Sequence, residues 1–510
     1  MKAEATTQRI AKNTIYLYIR SLFSLFVSLY SSRLILQALG ADDYGTYNVV
    51  GGFVSMFWLV SGSLSTAVTR FLNFEMGRGD REQVGKVFSM SLNIMLLLSL
   101  VVLLLAESFG LWFLHHQMNI PAGRETAAFW VFQFSVLTVM SGFAVVPFNS
   151  AIIANEKMGI YAYLGIAEAI MRLIIALLLA FGHISVDKLI LYALLWMIAT
   201  LILQGTAATY CRRSFAECRF RRVFERGLFK EMFSFAGWNF AASISGTFSG
   251  QGVSVLLNIF FGTIINAARG LAGTVNNAVC IFVNNFTLAL NPQITQSFAS
   301  GNKDYLKSLV FRGTKFSFFI LLLFDLPLFL EAPFVLDIWL DEVPEHTANF
   351  VRLSLIISLI DIHGGIFNMA QKATGDIRRI QIWLSLSTLS IFPLSYIALK
   401  CGLAPEVVYL ICIFISLINV FAILFIACGK LSFSLRDILS KVYLRMETVT
   451  LLSFPLPALL HYMLPEGWGR LLIVTATSIL CIATLVCFLG STREERVLLV
   501  NYIKNKFRKT

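Results

Sequence analysis

Charge is what this chain has least of. Of its 510 residues only 14% are Asp, Glu, Lys or Arg, while 57% are hydrophobic. A soluble chain carries about 25% charged residues, so a water-exposed globular fold is excluded. Cysteine offers no chemistry by spacing: the eight cysteines contain no CxxC pair. Cys280, Cys412, Cys428, Cys481 and Cys487 lie in apolar runs, where a thiol acts as a small buried hydrophobe. The six histidines show no metal-ligand spacing, so neither a metal site nor a cofactor is expected. No cleavable signal is evident either, because MKAEATTQRIAKN is polar and basic and a full-length apolar span follows it directly.

What remains is a series of apolar runs of membrane-spanning length, with a mean hydropathy of +0.75. The expected fold is an all-α polytopic membrane protein. Spans are predicted near 14–38, 45–72, 87–108, 126–150, 160–181, 187–210, 232–261, 269–297, 311–331, 347–370, 379–399, 406–428, 446–464 and 469–490, fourteen in all. The loops then alternate sides. Those on the N-terminal side, counted with the span ends that border them, hold 31 of the 41 Lys and Arg residues, and the opposite loops with their span ends hold four, Arg124, Lys188, Lys400 and Arg470. Such a bias places both termini in the cytoplasm. The net charge of +12 is therefore mostly topology, with some attraction to anionic headgroups, and not a nucleic-acid footprint.

The stretch RGLAGTVNNAVCIFVNNFTLALNPQIT, 269–295, breaks the apolar pattern. On a helix of roughly 100° per residue, Arg269, Asn276, Asn277, Asn284, Thr287, Asn291 and Thr295 share one arc, and Asn285 does not. Unpaired polar groups are costly in hydrocarbon, so the stripe faces either neighbouring helices, as glue, or a water-filled cavity. Its length favours the cavity wall. In the first span Tyr16, Arg20, Ser24 and Ser28 share a face, and Arg20 is the stronger cavity candidate. Arg33, about 140° away, either snorkels outward or pairs with another helix. Arg70, near the cytoplasmic end of the second span, reads first as a snorkelling residue.

Two further groups qualify as coupling or substrate residues. Glu168 and Arg172 stand at i, i+4 near mid-membrane, as a structural pair or a substrate contact. Asp361 and His363 precede Gly364–Gly365, as a proton or cation relay or a satisfied interior pair. Residues 211–231, CRRSFAECRFRRVFERGLFKE, read as a basic cytoplasmic linker along the membrane surface. It would separate an N-terminal lobe, 1–210, from a C-terminal lobe, 232–429. The last two spans and a basic tail, 430–510, lie outside both.

The halves echo each other. Gly40 and Gly262, and Gly79 and Gly301, are 222 residues apart, and Phe148–Asn149 recurs as Phe367–Asn368 after 219. Six spans per half keep both copies in one orientation, so their pseudo-two-fold axis should follow the membrane normal, with a central cavity lined by spans one, two, seven and eight. Guanidinium groups bind phosphate oxygens bidentately, and amides and hydroxyls match sugar hydroxyls. That chemistry suits a ligand with an anionic head and many hydroxyls.

The opening, YLYIRSLFSLFVSLYSSRLILQALGADDYGTYNVVGG, resembles that of bacterial Wzx-type lipid-linked oligosaccharide flippases. These belong to the multidrug/oligosaccharidyl-lipid/polysaccharide exporter superfamily. The resemblance is sharpest over residues 10–90 and extends along the chain through the fourteen-span plan. It implies a transporter of the bacterial inner membrane that moves an undecaprenyl-diphosphate-linked oligosaccharide to the outer leaflet. A membrane enzyme such as a polysaccharide polymerase or ligase is not expected, because the outer loops are short and show no paired-carboxylate or nucleophile constellation. It also implies a basic central cavity, assigned here to Arg20, Arg269, Arg33 and Arg70, and partners among membrane lipids and polysaccharide polymerase or assembly proteins. The alternative is a cation-coupled multidrug antiporter of the same fold. That class should put unpaired acids in the N-terminal lobe, whereas Glu168 has Arg172 beside it.

Overall fold

A computed structural model describes residues 2–40, 43, 46–47, 50–51, 54, 57–116, 120, 123–182, 186–221, 223–340, 343–431, 433–492 and 495–496; the side chains of 2–11, 29, 32, 33, 36, 59, 60, 263 and 266 are left aside. Among the described residues there is no strand. The long helices of the first half are α1 (Lys2–Leu39), α2 (Trp58–Arg78), α3 (Arg81–His116), α4 (Glu125–Ala154), α5 (Met158–Phe181) and α6 (Lys188–Ser214). Those of the second half are α7 (Arg226–Phe261), α8 (Thr263–Ala299), α9 (Lys303–Leu330), α10 (Thr347–Thr374), α11 (Arg378–Lys400) and α12 (Val407–Leu431). A segmented α13 over 435–463 and α14 (Trp468–Gly490) follow.

Ten of these, α3 to α7, α9 to α12 and α14, are long and apolar enough to cross a membrane. The other predicted spans fall on α1, α2, α8 and α13. Three of them are the helices whose polar residues mark the sequence, and the fourth is broken by a π-turn at Leu439–Tyr443 and by Pro455. Apolar stripes face away from the protein. Leu410, Phe414, Leu417, Phe421 and Phe425 on α12 recur every three or four residues and are exposed, Phe425 by 83%. In water such a stripe would be untenable; against lipid tails it needs no cover. The chain is an all-α, multi-pass membrane protein.

The helices form two compact units. One holds Lys12–Phe240, and the other holds the chain from Ala241 onward. The boundary falls inside α7. In the first unit α4 packs on α2, α3 and α6. Fully buried Phe88, Phe132 and Phe143 fill the contacts, with Phe88 edge-on to Phe148 at 5.1 Å. In the second, α10 packs on α8, α9 and α12 around Leu257, Leu321 and Phe350. Glycines bring helices close where no hydrophobic drive exists inside a bilayer. A Cβ at Gly313 would lie 2.5 Å from Leu290, and one at Gly252 would lie 2.5 Å from the Phe392 ring.

The repeated glycines occupy equivalent joints. Gly40, Gly79, Gly262 and Gly301 all have positive φ, 82°, 80°, 80° and 74°, a conformation that side chains rarely tolerate. Each of the second pair of joints is followed by a helix cap. Asp80 accepts from the Gln83 backbone N–H at 3.0 Å, and Asn302, 222 residues later, accepts from that of Tyr305 at 3.2 Å. Such caps satisfy donors a helix start leaves open.

The last two helices are fastened to α9 by charge at both ends. Glu495 receives Lys315 at 2.7 Å and Arg312 at 3.4 Å. Glu331, fully buried, receives His461 at 2.8 Å and Arg470 at 2.9 Å. The basic connection after α6 does not lie free along a surface as the sequence suggests. Its 3-10 turn, Ala216–Cys218, packs on α3. Asn155 donates to Glu217 at 3.1 Å, the Arg221 backbone N–H donates to Ser89 at 3.0 Å, and Asn93 donates to the Val223 carbonyl at 3.3 Å. Polar side chains at one end of α3 and α4 need partners, and the connection supplies them.

Candidate functional site

Each unit carries its own cationic, polar helix face. In the first it lies along the seam of α1 and α5. Asn13 donates to the Glu156 carbonyl at 3.1 Å, and Tyr16 meets Tyr163 with ring centroids 6.1 Å apart. Arg20 follows one turn later, half-buried, its guanidinium 4.7 Å from the Tyr161 ring centroid. Its stem passes over Gly165, where a Cβ would stand 2.5 Å from Arg20 Cδ. The glycine thus makes the seat, and the aromatic face holds a cation without neutralising it. Further along, Arg172 donates to Ser28 at 3.5 Å, lies 4.7 Å over Trp196 and pairs with Glu168 at 3.8 Å. The i, i+4 pair expected from sequence is formed. Arg33 is on α1, with a side chain outside the described residues.

Arg70 neither snorkels to solvent nor opens into a cavity. It is 7% exposed, stacked with Phe71 and Phe74 at 4.5 and 4.7 Å and with Phe235 at 5.6 Å, with Glu231 4.0 Å away. Sequence alone could not place Phe235 beside it, since α7 returns to α2 only through the tertiary fold.

In the second unit α8 presents the polar stripe. Its apolar side, Ala268, Ala272, Val279, Val283 and Leu290, is buried. Asn285, excluded from the stripe by its angle, is 4% exposed, whereas Asn277 and Asn284 are exposed and Asn291 is half-buried. Arg269, half-buried, donates to Ser254 of α7. Asn276 acts as helix glue: its amide oxygen accepts from Ser358 of α10 at 2.7 Å, and Cys280 lies 3.6 Å from the same hydroxyl. The stripe is therefore mixed, with Asn276 tied to α10 and Asn277 and Asn284 left uncovered.

Asp361 and His363 do not form one relay. Residues two apart point to nearly opposite sides of a helix. Asp361 lies on an exposed side of α10. His363 turns to α13, meeting Glu447 at 3.0 Å and lying edge-on to Tyr443 at 4.8 Å, and Tyr443 donates to the His363 carbonyl at 2.8 Å. Gly364 is a packing position and not a hinge, since a Cβ there would meet Ile423 at 3.0 Å. Sequence reasoning missed the importance of Asp325. It is 1% exposed, and neither carboxylate oxygen has a hydrogen-bond partner among the described residues. Its position two residues before Pro327, inside an otherwise apolar run, was the available signal.

Where α4 and α6 begin, Arg124 bridges Asp43 and Asp187 at 2.5 Å each. The Asp187 hydrogen bond, strongest, raises the Arg124 pKa, opposed by burial and helped by Asp43. For Asp187, burial pushes upward but the Arg124 bond and the Ile190 and Leu189 backbone N–H groups outweigh it and hold the carboxyl below its usual range. No group of three or more potential metal ligands occurs among the described residues.

No family model matches the chain. A stretch of 132 residues, 25% of the chain, is 28% identical to the uncharacterized membrane protein EpsK of Bacillus subtilis (strain 168), and spans only 26% of that protein. The fold is that of solved transporters. An outward-facing multidrug resistance MATE family transporter of the MOP superfamily superposes with a TM-score of 0.72 at 11% identity, covering 84% of this chain and 96% of the other. MATE in the straight conformation gives 0.73 at 12% identity with the same coverage. A MOP superfamily transporter from Pyrococcus furiosus, described as having a binding pocket of reverse polarity, gives 0.71 at 11%.

Proposed function

We propose that this chain flips a polyprenyl-diphosphate-linked oligosaccharide across the bacterial inner membrane, by alternating access within the transporter fold. The observation that carries the reading is the state of Arg20 and Arg269. Both sit in membrane-length helices, half-buried and held by neutral groups, Tyr161 and Ser254, with no acid bridging them among the described residues. A guanidinium kept charged without a counter-ion in such a place is suited to an anionic substrate group. Asn277, Asn284 and Asn291 extend that face with amides suited to sugar hydroxyls, and the apolar exterior lets a prenyl tail stay in lipid.

A second function, drug extrusion driven by a cation gradient, is favoured by Asp325, an isolated buried carboxyl that a coupling proton could occupy. The two are separated by reconstituting the purified protein in liposomes. Translocation of a fluorescent undecaprenyl-diphosphate saccharide, lost in Arg20→Ala and Arg269→Ala, is the expected outcome. Transport of an organic cation such as ethidium, with no movement of the lipid, would replace the flippase by the antiporter.

A further inference from the structure

A pocket of about 300 Å³ opens in the first unit among α2, α4, α6 and the residues Tyr47, Gly51 and Val54. Tyr47, Trp58, Phe134 and Trp196 line it with aromatic rings, and Ser135 and Thr138, neighbours on α4, add hydroxyls. Phe134 and Trp196 are nine and eight residues into their helices. At 1.5 Å per residue the pocket lies about 12–14 Å below the Arg124 end. None of its rings contributes to the Arg20 seat on α1 and α5.

The rings are fixed in place. Trp58 lies on Gly142, where a Cβ would come within 2.2 Å of the indole, and stacks on Phe143 at 6.1 Å and 17°. Tyr47 packs on Tyr192 at 4.7 Å. Thr138 donates to the Phe134 carbonyl at 2.8 Å, which leaves its oxygen free to accept. Arg172 rests on the Trp196 ring at 4.7 Å.

We propose that this pocket is a saccharide subsite that receives one pyranose ring of the carried glycan; the assignment rests on the flippase function above. Flat aromatic faces match the C–H faces of a sugar ring, and the two hydroxyls match its O–H groups. A prenyl chain would leave the Ser135 hydroxyl facing hydrocarbon, an unfavourable burial. The volume is at the low end for small-ligand pockets, which fits a single ring and not a whole repeat unit. The anionic head and the sugar are then read by different surfaces of one lobe, Arg20 for charge and the Trp58–Trp196 pocket for ring shape.

The test measures binding to the full-length protein in lipid nanodiscs. The probes are undecaprenyl diphosphate, bare or bearing one glucose, galactose, N-acetylglucosamine or N-acetylgalactosamine. At least one glycosylated lipid should bind roughly three- to tenfold tighter than the bare lipid. Trp58→Ala and Trp196→Ala should erase that preference and leave bare-lipid affinity unchanged, and Trp196→Phe should keep part of it. Equal affinity of the wild type for bare and all glycosylated lipids overturns the subsite but leaves the flippase standing. Equal weakening of every lipid in both Ala variants assigns the pocket to the tail and overturns it as well. No binding of any lipid overturns both proposals.

Discussion

The seat of Arg20 can be tested by a double substitution whose sign changes. In the native chain Gly165→Ala places a methyl 2.5 Å from Arg20 Cδ, 3.0 Å from Cγ and 3.5 Å from Nε. The side chain must leave its position over Tyr161 or push α5 away from α1. Overpacking of this kind costs about 1–3 kcal/mol, and the better helix propensity of Ala returns at most about 1 kcal/mol. The single variant should therefore lose about 0–2.5 kcal/mol. With Arg20→Ala already present the obstruction is gone, and the same Gly165→Ala change should stabilise by about 0.5–1 kcal/mol. The coupling between the two sites is then about 1–3 kcal/mol. Thermal unfolding of the four purified proteins in one detergent measures it, at about 2–4 °C per kcal/mol for a unit of this size. Export of surface polysaccharide should fall in both single variants and stay low in the double. If Gly165→Ala shifts the melting temperature equally in both backgrounds, Arg20 is not seated on α5, and the anion site loses its geometry.

Other perturbations probe other contacts. Removing Glu495 should cost more than removing Arg312, because Glu495→Ala leaves Lys315, with a side chain 3% exposed, without its counter-ion. Stranding a buried charge costs about 3–5 kcal/mol, and a loss below 1 kcal/mol by thermal unfolding would contradict the buried pairing. The Arg124 bridge should show acid sensitivity. Because Asp187 is held below its usual value, its stabilisation is complete above about pH 4 and fades as pH falls through the lowered pKa. The melting difference between the wild type and Asp187→Asn should thus be flat near neutrality and shrink toward pH 3; a difference that grows in acid contradicts the bridge. Asp325→Asn should remove any dependence of transport on an imposed proton gradient. Unaltered gradient dependence excludes Asp325 from coupling.

Helix count and polar faces were legible in the sequence because they are local. Apolar runs reflect the bilayer thickness, and the 100° periodicity correctly set Asn285 apart from Asn277 and Asn284. The joints at Gly40, Gly79, Gly262 and Gly301 were legible through their spacing, because left-handed backbone selects glycine. What could not be read depends on partners distant in the chain. Arg70 became a buried residue only because Phe235 returns to it, and His363 left Asp361 because Glu447 and Tyr443 stand on the other side of α10. Asn276 looked equivalent to Asn277, yet Ser358 claims one and not the other. The basic connection read as a surface segment because its charges are local, while its hydrogen bonds to Asn93 and Asn155 are not.

The central claim is that unneutralised guanidinium groups inside the membrane receive the substrate's diphosphate. The direct measurement is lipid-linked oligosaccharide in spheroplasts of a deletion strain complemented with wild type, Arg20→Ala or Arg269→Ala, at matched protein levels. Both variants should leave the oligosaccharide in the inner leaflet, inaccessible to an external glycosidase, while the wild type exposes it. Full exposure by both variants would contradict the account.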